Sequence, residues 1–224
     1  MRKLLVLRPE PGAAETAARA RAMGLEPIVA SLFTVRALDW EAPDPGQLDA
    51  ILLTSAHAAR LAGRTLGLPS YAVGEATAEA ARRAGYVVTV GPRDGAAALA
   101  LARSDGRERI LHLCGREHIA WPGIDRRIVY AAEAADALPA SAREGLAEGA
   151  VALLHSPRAA TLFGSLVSDR AAVPIVAISR AAADAAGPGW ACVAVAPEPR
   201  DAALLEVAAK LCNTAPPSGS EAGR

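Results

Sequence analysis

The sequence predicts an α/β protein of two doubly wound, flavodoxin-like parallel-sheet domains joined by a two-stranded linker. Three observations carry this expectation. Short, wholly apolar runs such as Ile51-Leu52-Leu53 and Val151-Ala152-Leu153-Leu154 have the length and continuity of buried parallel strands. Alanine-rich segments with the character of helices follow them. The pattern also recurs once: Leu52-Leu53-Thr54-Ser55 is answered by Leu153-Leu154-His155-Ser156, 101 residues later. Tyr71 to Ala78 is likewise answered by Val176 to Ala183, and Val90-Gly91-Pro92 by Val195-Ala196-Pro197. A single period of this length means two similar domains rather than a solenoid of short repeats.

In chain order, Leu4–Leu7 reads as a first buried strand, 8–12 as a turn, and Ala13–Met23 as a helix that Gly24 stops. Pro27–Ala30 opens a second strand, completing a right-handed β-α-β unit. Leu32–Leu38 alternates apolar and polar residues, as a half-buried strand does. The polar stretch Asp39–Gln47, with Pro43 and Pro45, marks a boundary. Strands near Ile51, Tyr71, Val87 and Ile110 then alternate with helices over Ala56–Leu66, Thr77–Gly85 and Gly95–Arg103. Ile128–Glu133 is strand-like and leads to a second boundary at Leu138-Pro139. Strands at Val151–Leu154, Ile175–Ile178 and Cys192–Val195 follow, with helices between and after them.

The middle block has a full set of four strands. The C-terminal block has only three, and the N-terminal β-α-β unit supplies what it lacks. One discontinuous domain is therefore expected over 1–32 and 140–212, a second over 48–125, linker strands within 33–47 and 126–139, and a disordered tail over 213–224. Two linkers would place a cleft between the domains.

Composition excludes several function classes. Lys+Arg and Asp+Glu balance at 24 each with no basic stripe, so nucleic acid is not an expected partner. The 3 cysteines lack a framework spacing and fit a reducing compartment. The N-terminal apolar run is too short for a signal peptide, and no run is long enough to span a membrane. A cytoplasmic protein is expected.

Ligands of doubly wound sheets bind outside the carboxyl ends of the strands. The groups placed there are Arg8, Thr54, Ser55, Gly74, Thr77, Gly115 with Cys114 and Arg116, Ser156, Arg158, and Ser179 with Arg180. Thr54 or Ser55 would cap the helix that follows, and Pro157 sits where a first turn tolerates proline. Hydroxyls, small residues and helix-start N–H groups suit a ligand carrying several carboxylates or phosphates. Other chemistries fit less well. His112, Cys114 and His118 match no closed zinc pattern, and no metal is expected. His57 and His155 read more readily as capping or solvent-exposed groups than as general bases. Ser156 stands in no nucleophile elbow, and the glycines form no dinucleotide or phosphate-loop fingerprint. Tyr130, on a crossing strand, is either a packing residue or a phenolic donor facing the cleft.

Taken together, Leu7-Arg8-Pro9, Leu53 to Ala59, Val73 to Ala78, Leu113-Cys114-Gly115, Val129-Tyr130, Leu154 to Ala160 and the Pro197 turn before Ala202–Leu211 resemble uroporphyrinogen-III synthase, over about residues 3–211. The resemblance implies a monomeric enzyme without cofactors. Its substrate would be hydroxymethylbilane, a linear tetrapyrrole with eight carboxylates. The reaction implied is loss of the hydroxyl as water, inversion of ring D through a spiro intermediate, and closure of the macrocycle. Such an enzyme holds a floppy anion in one conformation more than it supplies strong acid or base. By the same resemblance Tyr130 assists departure of the hydroxyl, while Thr77, Thr54, Ser55, Ser156 and Arg158 lie on substrate-contacting turns. One departure stands out: where the family often has Ile-Gly-x-x-Thr-Ala, this chain has Ile178-Ser179-Arg180-Ala181-Ala182-Ala183, losing one hydroxyl and gaining another nearby. The alternatives are a two-domain anion-binding or sensor protein without catalysis, and a nucleotide-sugar transferase, against which the missing glycine fingerprint counts.

Overall fold

Buried parallel strands need a helix on each face, and the alternating apolar runs supply both. The computed structural model describes residues 2–213 of the 224. The elements are β1 (Leu4–Val6), α1 (Gly12–Ala22), β2 (Pro27–Val29), β3 (Phe33–Ala37), β4 (Ala50–Leu53), α2 (Ala56–Leu61), β5 (Pro69–Val73), α3 (Gly74–Arg83), β6 (Val87–Gly91), α4 (Gly95–Ser104) and β7 (Ile110–Gly115). They continue with β8 (Asp125–Ala134), α5 (Ala140–Ala147), β9 (Val151–Leu154), α6 (Pro157–Leu166), β10 (Pro174–Ala177), α7 (Arg180–Ala185), β11 (Cys192–Val195) and α8 (Asp201–Asn213). Of the tail expected over 213–224, Asn213 closes α8, and 214–224 lie outside the described residues.

The chain divides into two compact units. The first comprises Met1–Thr34 with Ala134–Arg224, the second Val35–Glu133. The first unit's sheet runs β2-β1-β9-β10-β11, all parallel, so its strand order reverses between β1 and β9. That is the flavodoxin-like order, with its switch point at β1/β9. Leu4, Val6, Val151, Leu153 and Val176 pack on one face against α1 and α8. Leu5, Leu7, Ala152 and Leu154, all fully buried, alternate to the other face. There α5, α6 and α7 pack along β2, β9 and β10.

The six-stranded sheet runs β6-β5-β4-β7-β8-β3, and its parallel core reverses order between β4 and β7. Ile51, Leu53, Leu111 and Leu113 face α2 and α3, whereas Ala50, Leu52 and Ile110 face α4. Period-two alternation inside a wholly apolar strand thus feeds two separate cores. The strands β3 and β8 lie side by side and continue this sheet, with the Leu38 N–H donating to the Val129 carbonyl (2.9 Å).

Three elements differ from the sequence-based expectation. Helix α2 stops at Leu61 rather than Leu66. Gly63 and Gly67 both take positive φ, and the Trp40 indole donates to the Ala62 carbonyl (2.8 Å), satisfying a helix end from a remote residue. Helix α3 begins at Gly74 rather than Thr77, because Gly74, at φ +71°, lets β5 turn into the helix with no loop. Helix α5 forms where the sequence pattern predicts no element. Its Gly145 lies where a Cβ would stand 2.7 Å from Ile28 Cδ1, so a small residue is needed for it to approach β2.

Phe163 of α6 is fully buried and stacks on Trp190 at 5.3 Å and 7°. Phe163→Ala should lower unfolding free energy by about 3–5 kcal/mol, measured by denaturant titration, and should change the near-ultraviolet circular dichroism of Trp190.

Candidate active site

Strand β4 ends and α2 begins with only Thr54 and Ser55 between them. The first amides of a helix have no intrahelical partner, so a side chain must serve them. Ser55 does: it is the N-cap, and its Oγ accepts the His57 N–H (3.1 Å). The same Oγ accepts the Tyr130 hydroxyl (3.0 Å). Both lone pairs of Ser55 are then used, and its own proton points elsewhere. Thr54 takes the other direction, pairing its hydroxyl with His112 Nε2 (2.9 Å).

Tyr130 reaches Ser55 because of a bulge. From Cys114 to Gly115 the pairing on β8 advances from Ile128 to Tyr130, two residues against one. A bulge re-aims a side chain in this way. The phenol then lies over Gly115, where a Cβ would stand 2.5 Å from Tyr130 Cζ. The His57 ring centroid is 5.6 Å from that of Tyr130. Thr54, Ser55, Gly115 and Tyr130 therefore meet at the switch point of the second sheet, outside the carboxyl ends of β4 and β7. Gly74 lies at the end of β5, the next strand along. Thr77 is buried in α3, one turn into the helix, with 7% of its surface exposed.

Burial of His112 pushes its pKa down to about 4, with the charges of His118 and Arg126 adding to the effect. The imidazole beside Thr54 is thus neutral at neutral pH. Its ring lies 4.9 Å from that of Trp121. His118 is directed to the Gly115 and Arg116 carbonyls through Nδ1 (3.0 and 3.1 Å). Among the described residues no group of three or more His, Cys, Asp or Glu side chains is arranged to hold a metal ion.

In the first unit, Ser156 caps α6 by accepting the Ala159 N–H (3.1 Å), with Pro157 at the first helical position. Ser179 caps α7 by accepting the Ala182 N–H (3.3 Å). The Arg158 guanidinium sits 4.6 Å from the centre of the Phe33 ring. Arg8 leaves the end of β1 and lies across the start of α1, where a Gly12 Cβ would be 2.5 Å from its Nε. It contacts Thr16 Oγ1 (3.3 Å) and Asp201 (3.8 Å).

Asp201 carries no mark of a site residue in the sequence. It accepts from Thr16 (2.8 Å), Arg19 (2.6 Å) and His155 (2.9 Å). Burial alone would raise its pKa, but hydrogen bonds from His155, Thr16 and Arg19 outweigh that and hold it well below the usual carboxylate range. His155 is neither a cap nor solvent-exposed: only 6% of its side chain is accessible, because the strand end carries it inward to Asp201. Burial pushes its pKa down, and its Nδ1 is buried without a hydrogen-bond partner. A neutral ring protonated on Nε2 fits both facts. This cluster unites the end of β1, α1, the end of β9 and the start of α8, with Thr16 and Asp201 185 positions apart and Arg8 farther still. No short-range pattern could have found it.

A family model described as uroporphyrinogen-III synthase HemD matches residues 14–206. No curated protein sequence matches the chain. Among solved structures, the chain is similar to uroporphyrinogen-III synthetase from Helicobacter pylori 26695 at 17% identity, covering 94% of this chain and 100% of that one, with a TM-score of 0.65. It is also similar to a mutant uroporphyrinogen III synthase from the extremely thermophilic bacterium Thermus thermophilus at 16% identity, covering 93% and 98%, with a TM-score of 0.48. At these identities the first likeness speaks for the fold.

The depressed His112 pKa sets a pH dependence. Unfolded, the imidazole titrates near 6.5; folded, near 4. Between those values the unfolded chain binds a proton that the folded chain refuses, so stability falls as pH drops through this window, by roughly 3 kcal/mol for this group. Burial of His155 acts in the same direction, while Asp201, held low, is still ionised there. Denaturant unfolding between pH 7 and pH 4.5 should show this loss, and His112→Asn should reduce it to the share that His155 contributes.

Proposed function

The chain belongs to the uroporphyrinogen-III synthase family, and from that membership we propose how its residues act. It is an enzyme of tetrapyrrole synthesis, cyclising hydroxymethylbilane to uroporphyrinogen III with loss of water and inversion of ring D. The observation that carries the assignment of roles is the Tyr130 hydroxyl, held on Ser55 above Gly115 at the switch point of the second sheet.

In this proposal Tyr130 is the catalytic residue. A phenol is a weak acid, but the departing hydroxyl needs only a hydrogen-bond donor as the pyrrole nitrogen pushes it out. The single Tyr130 O–H proton, which rests on Ser55 Oγ in the free protein, turns to the leaving oxygen to supply it. The C–O bond breaks, its electron pair leaves with oxygen, and the ring becomes an azafulvenium cation. The leaving oxygen takes the Tyr130 proton to form water, and the pyrrole N–H proton returns to the phenolate, leaving a neutral azafulvene. The remaining work is conformational: the bilane closes without inversion when left alone, so its arms must be held. Thr54, Ser55 and the glycines Gly74 and Gly115 offer hydroxyls and close backbone approach on the second unit, with Thr77 behind them. Arg8, Ser156, Arg158 and Ser179 offer a guanidinium pair and helix starts on the first. The Asp201 cluster fixes Arg8 without neutralising the whole network, since Arg8 and Arg19 both face that one carboxylate.

Residues 1–32 with 140–212 are assigned to one domain and 48–125 to the other, with 33–47 and 126–139 passing between them. The chain is further assigned as a cytoplasmic monomer acting without a cofactor or nucleic acid. Among the described residues no helix is long and apolar enough to cross a membrane. Family membership does not favour an anion sensor without catalysis.

Fresh hydroxymethylbilane with the protein should yield type III uroporphyrinogen in excess over enzyme, read as oxidised uroporphyrins separated by chromatography; type I alone at the spontaneous rate would overturn the assignment. Tyr130→Phe keeps the ring and should lower kcat by about 10²-fold with bilane affinity largely kept. Gly115→Ala brings a Cβ to 2.5 Å of Tyr130 Cζ and must push the phenol aside, so it should reproduce the Tyr130→Phe loss of turnover even though Tyr130 is present, measured in the same assay.

A further inference from the structure

The carboxyl edge of the second sheet carries a cavity of about 520 Å³ that shares Thr54 with the roles assigned above but whose other walls have none. Its walls include Thr54, Val73, Arg93, Gly95, Ile119 and Trp121. Trp121 is partly buried and held in place. Its ring packs 4.9 Å from His112 and crosses Gly95, where a Cβ would stand 2.7 Å from Cζ2. The stem of Arg93 lies on Gly74, with Cγ 3.2 Å from the position of a Cβ there. Two glycines thus clear the ground for an indole and a guanidinium. Ile119 is 72% exposed and adds an apolar lip.

The charges at the cavity are not balanced internally. Asp94 also lines it, but its Oδ1 is engaged as the cap of α4, accepting the Ala97 N–H (2.8 Å). Among the described residues Arg93 has no carboxylate within ion-pair distance. An aromatic wall, one open guanidinium and an adjacent acid select a flat, electron-rich ring with a carboxylate arm. Such a ring would stack offset on the indole, with its arm at Arg93 and away from Asp94. The volume falls within the range of about 300–1,000 Å³ for small-molecule pockets, suited to part of a linear tetrapyrrole. Thr54 forms the boundary shared with the Ser55–Tyr130 pair.

We propose that this cavity is a subsite for one pyrrole ring of the substrate, with Trp121 stacking on the ring and Arg93 binding its carboxylate arm. The proposal rests on the bilane-cyclase reading above. It makes Arg93 a binding residue rather than a catalytic one, fixing one end of the chain while the ring near Tyr130 turns over.

The probe is a single pyrrole carrying one acetate and one propionate, titrated into the intact protein by calorimetry alongside bilane kinetics. Arg93 is exposed, so its variants should fold normally, which circular dichroism checks. Arg93→Gln should weaken probe binding at least tenfold and raise the bilane KM by a similar factor, leaving kcat within about twofold. Arg93→Lys should recover part of both losses, and Trp121→Phe, which keeps a stacking face, should lose less than Trp121→Leu. Probe affinity and KM unchanged in Arg93→Gln, with wild-type production of type III, would overturn the subsite and leave the cyclase reading standing. Arg93-dependent probe binding by a wild-type protein that makes no type III would do the reverse. A wild-type protein that does not bind the probe would also overturn the subsite.

Discussion

A buried strand that runs directly into a helix exposes the first helical amides at the end of the sheet, and something polar has to meet them. In this chain serine does so at Ser55, Ser156 and Ser179. The requirement places hydroxyls and backbone donors where doubly wound sheets present their ligand edge. At Ser55 the cap has a second duty, because its remaining lone pair receives Tyr130. Stability of the helix start and position of the phenol are thus tied to one oxygen.

Close approach is the second recurring device. Gly115 under Tyr130, Gly95 under Trp121 and Gly12 under Arg8 each leave room that a methyl group would fill. In every case the side chain above is a large polar-tipped or aromatic group at the carboxyl edge of a sheet. Elsewhere alanine does the same for packing: both cores are built largely of alanine on the helices and leucine, isoleucine and valine on the strands. Small helix faces let the helices sit close to the sheets, so few aromatics are needed to fill the interior.

The two units handle polarity differently. The second keeps a neutral imidazole, His112, against Thr54 and Trp121. The first gathers Arg8, Arg19, Thr16 and His155 on Asp201, a mostly buried carboxylate with hydrogen bonds on both oxygens. A buried charge of this kind persists only when its partners are complete. That makes the start of α8 part of the same structure as the end of β1.

The sequence alone determined what depends on neighbours along the chain. The parallel strands follow from continuous apolar runs, the interleaved helices from alanine-rich segments, and the stop after α1 from Gly24, which takes positive φ. The choice of Ser55 as the cap of α2 was half legible, since Thr54 has the same local chemistry; the partner His112, 58 residues away, decides it by taking the threonine. The tertiary structure decided the rest. The early end of α2 depends on Trp40, the aim of Tyr130 on a bulge against β7, the burial of His155 on Asp201, and the setting of Trp121 and Arg93 on two glycines. Capping, alternation and turn preference act over a few residues and are written locally. Bulges, buried ion clusters and close approaches exist only after distant segments meet, so their partners carry no mark in the sequence.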